Sequence, residues 1–325
     1  MINKIKLYEG NSFDPYLNLA TEQYLMETVG EDACILFLWQ NQNTVVIGKN
    51  QNAWKECRTT LLSEEGGFLA RRLSGGGAVF HDLGNLNFTF LVPQEEYDLD
   101  RQFSVIAEAV SMLGLNAERS GRNDVLAEGR KFSGNAFYKN GKQAYHHGTL
   151  LIDVDMQKLG RYLNPSKAKL QAKGVDSVRS RVVNLRELSP AITVDVMKEA
   201  MAKAFAKVYG KPMTVMNDAD FDHNVIEQLR LRNSSWEWNY GQKLPFSAEF
   251  EDRFPWGGIQ ICLQVENGIV TSAKVYSDSM DWSVSPILEP ALLGCRFEKE
   301  ALMAAVPVAM DCADDIRQMI STQMT

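Results

Sequence analysis

Apolar and polar residues alternate along residues 85–92, and this alternation predicts a strand with one buried face. The residues that would share the buried face are large and apolar: Leu86, Phe88, Phe90 and Val92. A period near 3.6 residues instead predicts a helix over residues 100–113, which ends at Gly114. Asp14 followed by Pro15 predicts a helix start, because aspartate caps a first turn and proline fits the first helical position.

The same two patterns, alternation for strands and a period near 3.6 for helices, predict the elements of the rest of the chain. Runs rich in β-branched and aromatic residues predict strands at 34–39, 44–47, 68–73, 78–80, 124–126, 130–138, 142–153, 246–254, 259–265 and 269–276. Helical spacing predicts helices at 15–29, 193–209, 220–231, 299–306 and 314–320. The dipeptides Asn140-Gly141 and Asn267-Gly268 predict hairpin turns.

This element order predicts an α+β protein, in which a mixed or antiparallel sheet packs with helices and a small α+β accessory domain follows. The polar, aperiodic segment 234–242 is interpreted as a linker. The predicted domains are therefore residues 1–240 and residues 245–325, and we expect a hinge between them.

Composition narrows the class of protein. The 325 residues carry a formal net charge of −7, which argues against nucleic acid or an anionic membrane as a partner. No apolar stretch approaches the ~20 residues of a membrane helix, and the first residues lack the apolar core of a secretory signal. The five cysteines are widely spaced and form no C-x-x-C pair: Cys34, Cys57, Cys262, Cys295 and Cys312. This pattern indicates reduced thiols, a cytoplasmic protein and the absence of a structural zinc site. His146 and His147 are adjacent in a predicted strand, so they face opposite sides and cannot bind one ion together.

The most informative local pattern is Arg71-Arg72-Leu73-Ser74 followed by three glycines, Gly75–Gly77. Glycines let backbone N–H groups approach a ligand closely, and arginine offers a fixed fork of donors for phosphate or carboxylate. The pattern is equally compatible with a flexible loop between strands. It lacks both the Gly-Lys-Ser/Thr ending of a P-loop and the G-x-G-x-x-G spacing of a dinucleotide fold.

Further motifs follow the glycines in a fixed order, at residues 121–124, 130–136, 145–151, 162–165 and 173–182. Together with the glycine motif they resemble the lipoate–protein ligase A family of the biotin/lipoate ligase superfamily, closely over residues 5–190 and more loosely to the C-terminus. The resemblance implies a biotin/lipoate ligase-like catalytic domain. It also implies ATP-dependent conversion of lipoate to lipoyl-AMP, with Mg²⁺ as MgATP. The lipoyl group would then pass to a lysine of a lipoyl-carrier domain, in 2-oxoacid dehydrogenases or the glycine-cleavage carrier protein.

Activation of a carboxylate by ATP builds negative charge on phosphate and carbonyl oxygens, so fixed cations and backbone donors are the groups it needs. Lys131 stands before Phe132-Ser133-Gly134, early in a predicted strand with small neighbours. On the residues alone, a solvated surface lysine is the commoner outcome. The resemblance instead makes Lys131 the catalytic residue, which would contact both nucleotide phosphate and the lipoyl carbonyl.

The resemblance also implies the remaining site residues. Those expected to bind ATP are Arg72, Gly77, Ala78, Val79, Phe80 and Lys131. Those expected to bind lipoate are Ser74, Gly75, Gly76, Lys131 and His147. Those expected to complete the adenylate pocket are His81, Asn85, Asn123 and Asp124. Asp124 is also the candidate Mg²⁺ ligand, although it could simply be a turn residue, and packed structural roles are equally compatible with His81 and His147.

Three alternatives remain open at this point. An octanoyl- or lipoyl-transferase of the same superfamily would carry the acyl group on a cysteine near the Lys131 hairpin, but no cysteine lies between Cys57 and Cys262. A homologue that binds lipoate or nucleotide without catalysis would not need Arg72, the glycines and Lys131 together. A biotin ligase would have a different motif order and glycine pattern.

Overall fold

An eight-stranded mixed sheet forms the centre of the larger part of the protein. The computed structural model describes residues 1–121, 123–163, 182–240 and 248–324. Its strands are β1 (Lys4–Glu9), β2 (Ala33–Trp39), β3 (Thr44–Ile47), β4 (Phe68–Arg71), β5 (Val79–His81), β6 (Asn85–Pro93), β7 (Ala117–Ser120), β8 (Asp124–Ala127), β9 (Arg130–Lys139), β10 (Gln143–Leu151), β11 (Met213–Val215), β12 (Ala248–Phe254), β13 (Gly257–Glu266) and β14 (Ile269–Ser277). Its α-helices are α1 (Pro15–Thr28), α2 (Ala53–Glu56), α3 (Thr59–Glu64), α4 (Leu99–Met112), α5 (Met156–Tyr162), α6 (Leu185–Leu188), α7 (Val194–Tyr209), α8 (His223–Ser234), α9 (Trp236–Tyr240), α10 (Val284–Leu292), α11 (Lys299–Ala305) and α12 (Ala313–Gln323). Single 3-10 turns lie at Gln94–Glu96 and Asp218–Asp220.

The large sheet has the order β11-β1-β2-β6-β10-β9-β8-β7. β1 runs parallel to β2 and β11, whereas the other neighbours are antiparallel. The alternation predicted for residues 85–92 is confirmed, because Leu86, Phe88 and Phe90 enter the core beneath α4 and α7. The opposite face packs against α1 and α8, and this face carries the polar residues of β6 toward the cavity described below.

Local signals in the sequence account for several element boundaries. The carboxylate of Asp14 accepts hydrogen bonds from the backbone N–H groups of Tyr16 and Leu17, and Pro15 is the first residue of α1, as predicted. The predicted hairpin at Asn140-Gly141 joins β9 to β10. Gly141 has a φ of +92° there, a backbone conformation that glycine adopts without strain.

A smaller sheet of order β4-β3-β5 stands beside the large one and carries the glycine motif between β4 and β5. The C-terminal region is a third unit, in which the antiparallel sheet β12-β13-β14 packs against α10, α11 and α12 around its own core. The predicted α+β class is therefore confirmed, with a large mixed sheet and a small α+β C-terminal unit.

The segment predicted to be a linker is folded over most of its length. Ser234 ends α8, and Trp236–Tyr240 form α9. The guanidinium of Arg71 donates to the carbonyl oxygens of Trp238 (2.8 Å) and Asn239 (2.5 Å), which ties α9 to the glycine-motif sheet. Residues 241 and 242 of the predicted linker lie outside the described residues, as does the start of the strand predicted at 246. The domain boundary between 240 and 245 therefore remains a prediction.

Candidate active site

A cavity of about 180 Å³ opens between the large sheet and the glycine motif. Most of the residues that line it come from the glycine motif and from β2, β6, β9 and β10. The lining residues are Leu19, Trp39, Val46, Arg72, Gly76, Gly77, Ala78, Val79, His81, Asn87, Asn123, Lys131, Gly134, Asn135, Ala136, His147, Gly148 and Thr149. The structure thus brings together nine of the predicted site residues from four separate motifs: Arg72, Gly76, Gly77, Ala78, Val79, His81, Asn123, Lys131 and His147.

Arg72 fixes the conformation of the glycine loop from inside. Its Nη2 donates to the carbonyl oxygens of Gly75 (2.7 Å) and Gly77 (2.8 Å), and its Nε donates to the hydroxyl of Ser74 (3.0 Å). Its Nη1 reaches the carbonyl of Val46 at 3.2 Å. Burial lowers the pKa of the guanidinium to about 10, so the side chain remains charged at neutral pH. These hydrogen bonds tie the guanidinium to the loop and to β3, and contact with phosphate stays a prediction.

Arg71 has a different task from its neighbour. It is also buried, but it does not line the cavity. Besides holding α9, its Nη1 donates to the carbonyl oxygens of Gly48, Lys49 and Gln51 at 2.7–3.1 Å. Arg71 is the last residue of β4 and Arg72 directly follows it. Adjacent residues of an extended chain face opposite sides, so Arg72 faces the cavity while Arg71 holds the surrounding backbone in place.

Two glycines of the motif also allow close contact with the backbone of the C-terminal region. The N–H of Gly76, which has a φ of +90°, donates to the carbonyl of Ser279 at 2.9 Å. A Cβ on Gly75 would lie 2.3 Å from the carbonyl oxygen of Ser279 and 2.9 Å from that of Met280. No side chain could occupy that space unless the backbone moved. Because these glycines have no side chains, the C-terminal region can contact the glycine loop and the cavity stays accessible.

Lys131 lies at the cavity beside Asp124. The two pair with Nζ and Oδ1 2.6 Å apart, and about a third of each side chain is exposed. A register shift between β8 and β9, at Val125 and Leu126, places Lys131 opposite Leu126. Because of this bulge, the side chains of Lys131 and Asp124 lie on the same face of the sheet. The next residue, Phe132, is buried in the core. Gly134 leaves room for the ammonium, since a Cβ there would lie 3.1 Å from Nζ.

Asn123 is held in place by reciprocal hydrogen bonds with Asn135. The amide of Asn123 donates to the carbonyl of Asn135 (3.0 Å), and the backbone and side-chain amides of Asn135 both donate to the carbonyl of Asn123 (2.9 and 3.0 Å). The Oδ1 of Asn135 lies 2.8 Å from Nε2 of His146, which is fully buried on the far side of the sheet. His146 and His147 thus face opposite sides, as predicted.

Glu22 is a candidate site residue that was not predicted from the sequence. Its buried carboxylate lies 2.8 Å from Nδ1 of His147 and accepts from the hydroxyl of Thr89 at 2.7 Å. His147 Nε2 lies 2.8 Å from the hydroxyl of Ser74, which in turn accepts from Arg72. A continuous network therefore connects a carboxylate on α1 to the arginine that fixes the glycine loop. Nothing local in α1 marks Glu22, because its partners lie 67 and 125 residues away.

The remaining predicted residues lie next to the cavity lining. Phe80 is buried in the core of the small sheet, and Gly75 directly precedes the lining residue Gly76. Ser74, Asn85 and Asp124 contact the lining residues His147, Asn87 and Lys131, respectively. Residues 164, 165 and 173–181 of the predicted motifs, and Arg122, lie outside the described residues. Within the described ranges there is no cluster of three or more His, Cys, Asp or Glu side chains arranged to hold a metal, and no helix long and apolar enough to cross a membrane.

Comparison with known proteins identifies the two parts of the chain. A family model described as the lipoyl protein ligase A/B catalytic domain matches residues 14–206, and one described as the bacterial lipoate protein ligase C-terminus matches residues 243–324. The crystal structure of P. falciparum LipL1 in complex with lipoate is 28% identical, with 98% of this chain and 100% of that chain covered and a TM-score of 0.85.

Two more distant structures share the fold at 24% identity. A bipartite lipoate protein ligase of Thermoplasma acidophilum, described with its E2 lipoyl domain, covers 76% of this chain and 100% of its own, with a TM-score of 0.65. A lipoate-protein ligase A bound with ATP covers 74% and 99%, with a TM-score of 0.63. Since the catalytic-domain model matches more than half of the residues, this chain belongs to the lipoate–protein ligase family.

Proposed function

We propose that this protein activates lipoate with ATP to give lipoyl-AMP and pyrophosphate, and then transfers the lipoyl group to a lysine of a lipoyl-carrier domain. The observation that carries the proposal is the position of Lys131, whose ammonium shares one cavity with a glycine loop fixed by Arg72. The solved relatives support it, since one holds lipoate and another holds ATP.

In the first step an oxygen of the lipoate carboxylate attacks the α-phosphorus, and pyrophosphate leaves with the electrons of the broken P–O bond. Negative charge grows on the phosphate oxygens during this step. Lys131 is the cation placed to stabilise that charge, because fixed donors in a partly desolvated site stabilise a transition state without reorganising. Arg72 contributes by holding the loop carbonyls, so that the loop does not rearrange during the reaction.

The nucleotide has a backbone surface available to it. β5 is one of the two edge strands of the small sheet, because in the described chain that sheet has the order β4-β3-β5. An edge strand presents N–H and C=O groups that no neighbouring strand uses. Gly77, Ala78 and Val79 line the cavity where β5 begins. We assign the adenine base to this edge.

The cofactor that the proposal implies is Mg²⁺, carried by ATP. Asp124 fits this ion, since Mg²⁺ usually takes one or two protein carboxylates and completes its shell with phosphate oxygens and water. When bound, Mg²⁺ neutralises charge on the phosphates. Asp124 would hold the ion next to Lys131, with which it pairs in this structure.

In the second step the neutral amine of an acceptor lysine attacks the lipoyl carbonyl, and AMP leaves. Free lysine has a pKa near 10.4, so only about one in 10³ is neutral at pH 7. Transfer from preformed lipoyl-AMP is therefore expected to accelerate by up to about a hundredfold between pH 6 and pH 8 for an unperturbed acceptor lysine. The measurement is single-turnover transfer to a lipoyl-carrier domain and to its lysine-to-arginine variant. Equal labelling of the two domains would show that the acceptor assignment is wrong.

A transferase mechanism makes the opposite prediction about cysteine. None of the five cysteines lines the cavity, and burial raises the pKa of the Cys57 thiol to about 12. Replacement of all five by alanine (Cys34, Cys57, Cys262, Cys295 and Cys312) is expected to leave lipoylation within about threefold of wild type, since a thiolate nucleophile is not used. Rates are compared on folded protein, and acyl-enzyme is sought by mass spectrometry. A thioester-linked lipoyl group on the wild-type enzyme would instead establish the transferase.

A further inference from the structure

Lys49 is a partly exposed lysine that lies outside the cavity, among other cations. It follows β3, and its backbone N–H donates to the carbonyl of Ser74 at 2.9 Å, directly before the glycines of the motif. The charged groups that act on its ammonium are all positive, namely Arg71, Arg232 and Lys274. Within the described ranges, no carboxylate makes an ion pair with it.

An aromatic ring covers the ammonium of Lys49. Its Nζ lies 4.0 Å from the ring centroid of Trp238, a residue of α9, and the guanidinium carbon of Arg232 lies 4.4 Å from the same centroid. The ring is fixed, because the indole N–H of Trp238 donates to the carbonyl of Arg71 at 3.0 Å. One indole therefore shields Lys49 from water and at the same time brings a second cation close to it.

The two arginines of this group keep their full charge. Arg232 donates to the side-chain oxygens of Gln23 (2.7 Å) and Asn233 (2.8 Å), which are neutral acceptors. Arg71 donates to backbone carbonyls, one of which is that of Lys49 at 3.0 Å. Neither arginine makes an ion pair with a carboxylate in the part of the chain that the structure describes. Their charges are therefore felt by Lys49 without a local counter-ion.

These surroundings act on Lys49 in two opposed directions. The indole face attracts a cation and favours the ammonium form, whereas burial and nearby positive charges favour the neutral amine. The second effect is larger, because burial, followed by the charges of Arg232 and Arg71, lowers the pKa of Lys49 to about 8. Lys274 contributes least, and it is paired with Glu289 at 2.9 Å.

A lysine in this state is a nucleophile at neutral pH. With a pKa of about 8, about one Lys49 amine in ten is neutral at pH 7, compared with about one in 10³ for free lysine. Desolvation and a neighbouring cation are the two means by which lysine nucleophiles are usually activated. Lys131, the lysine that lines the cavity, instead pairs with Asp124.

We propose that Lys49 is a site of N-acylation by mixed carboxylic–phosphoric anhydrides, including the lipoyl-AMP that this protein is proposed to make. The neutral Nζ attacks the acyl carbon and forms an amide bond. The bond from that carbon to the phosphate oxygen breaks, AMP leaves with its electron pair, and the amine releases one proton to water. The amide is uncharged, so acylation also relieves the repulsion between Lys49 and the two arginines. The involvement of lipoyl-AMP rests on the proposed function, whereas the reactivity of Lys49 does not.

The first test uses acetyl phosphate, a small mixed anhydride, on the full-length protein at pH 7. Acetylation of each lysine is measured by peptide mass spectrometry. We expect Lys49 to react about tenfold faster than Lys142, an exposed lysine in the turn between β9 and β10. The factor is smaller than the ratio of neutral amines, because nucleophilicity falls as the pKa falls, as it does for thiols. Reaction of Lys49 no faster than Lys142 would overturn the site.

The pH dependence of the same reaction provides a second measurement. Because the pKa of Lys49 is lowered to about 8, its acetylation should rise between pH 6 and pH 8 and level off near pH 9. A lysine near the free value would continue to react faster at each higher pH. A rate at Lys49 that still rises tenfold between pH 9 and pH 10 would contradict the proposal.

Replacement of Arg232 by glutamine tests the role of the cation cluster. Removal of this charge should raise the pKa of Lys49 and slow its acetylation at pH 7 about threefold. Arg230→Gln is the matched control, because Arg230 lies on the same helix and pairs with Asp14 and Glu227. It should leave Lys49 unchanged. Equal rates in the two variants would overturn the cluster as the cause of the reactivity.

A final reaction supplies lipoate and ATP in place of acetyl phosphate, with no carrier domain present. We expect the lipoyl group on Lys49. Pyrophosphate release without lipoylation of Lys49 would overturn the part of the proposal that concerns lipoyl-AMP. Acetylation at Lys49 with no pyrophosphate release would leave the site intact and count against the proposed function, so the two failures are distinguishable.

Discussion

Replacement of Lys131 by alanine is expected to lower lipoate-dependent pyrophosphate release by about a thousandfold, equivalent to about 4 kcal/mol of transition-state stabilisation. The ammonium of Lys131 lines the cavity together with the glycine loop. Its loss removes the positive charge that is expected to stabilise the negative charge developing on the phosphate oxygens. The fold should persist, because Lys131 and its partner Asp124 are each about one-third exposed and the chain there is held by β8 and β9.

The assay is pyrophosphate release with lipoate and ATP and no acceptor protein, which also separates an enzyme from a binding homologue. Lys142→Ala is the matched control, because Lys142 is an exposed lysine in the turn between β9 and β10. Circular dichroism confirms that both variants fold. Release within about threefold of wild type in the Lys131 variant would remove this residue from the mechanism.

Replacement of Arg72 by lysine is expected to reduce kcat/KM about a hundredfold and to destabilise the protein by about 2–4 kcal/mol. Lysine keeps the positive charge but cannot reproduce a fork that reaches Ser74, Gly75 and Gly77 together. The loop carbonyls would lose their donors, and the ends of the cavity would no longer be held in one arrangement. The measurements are steady-state kinetics with ATP and lipoate, and denaturant unfolding.

Arg71→Lys is the control for the stability part of this effect. Arg71 is similarly buried and also donates to several carbonyl oxygens, but those belong to residues 48–51 and to α9. We expect it to lose comparable stability while kcat/KM falls far less. Equal kinetic losses in the two variants would mean that Arg72 acts only as scaffold.

Features of the fold that depend on neighbouring residues were predictable from the sequence. The alternation in β6, the cap at Asp14 and the turn at Asn140 are all read within a few residues. Elements that are stabilised by distant partners were not predicted. One is β11, which is three residues long and pairs with β1 as the edge strand of the large sheet. α10 was missed because Pro286 and Pro290 argue against a helix, yet its apolar residues pack on the C-terminal sheet.

The candidate site divides in the same way. Its motifs could be listed from the sequence, and the family resemblance named their roles, but the sequence did not separate Arg71 from Arg72. That difference depends on the directions in which the two side chains leave the end of β4 and on the position of α9 beside Arg71. Glu22 carries no local signal, because its place in the site comes from hydrogen bonds that exist only after the sheet has formed.

The hydrogen bond between Gly76 and Ser279 means that a ligand using the Gly76 amide would compete with the C-terminal region for it. The amide hydrogen of Gly76 has one strong acceptor at a time, and here that acceptor is a carbonyl from the C-terminal region. A ligand oxygen that takes this hydrogen must displace the carbonyl, so ligand binding and docking oppose each other in free energy. Linkage is reciprocal, and each event weakens the other by the same factor. A ligand that used this amide would thereby be coupled, through one backbone hydrogen bond, to the contact between the glycine loop and the C-terminal region.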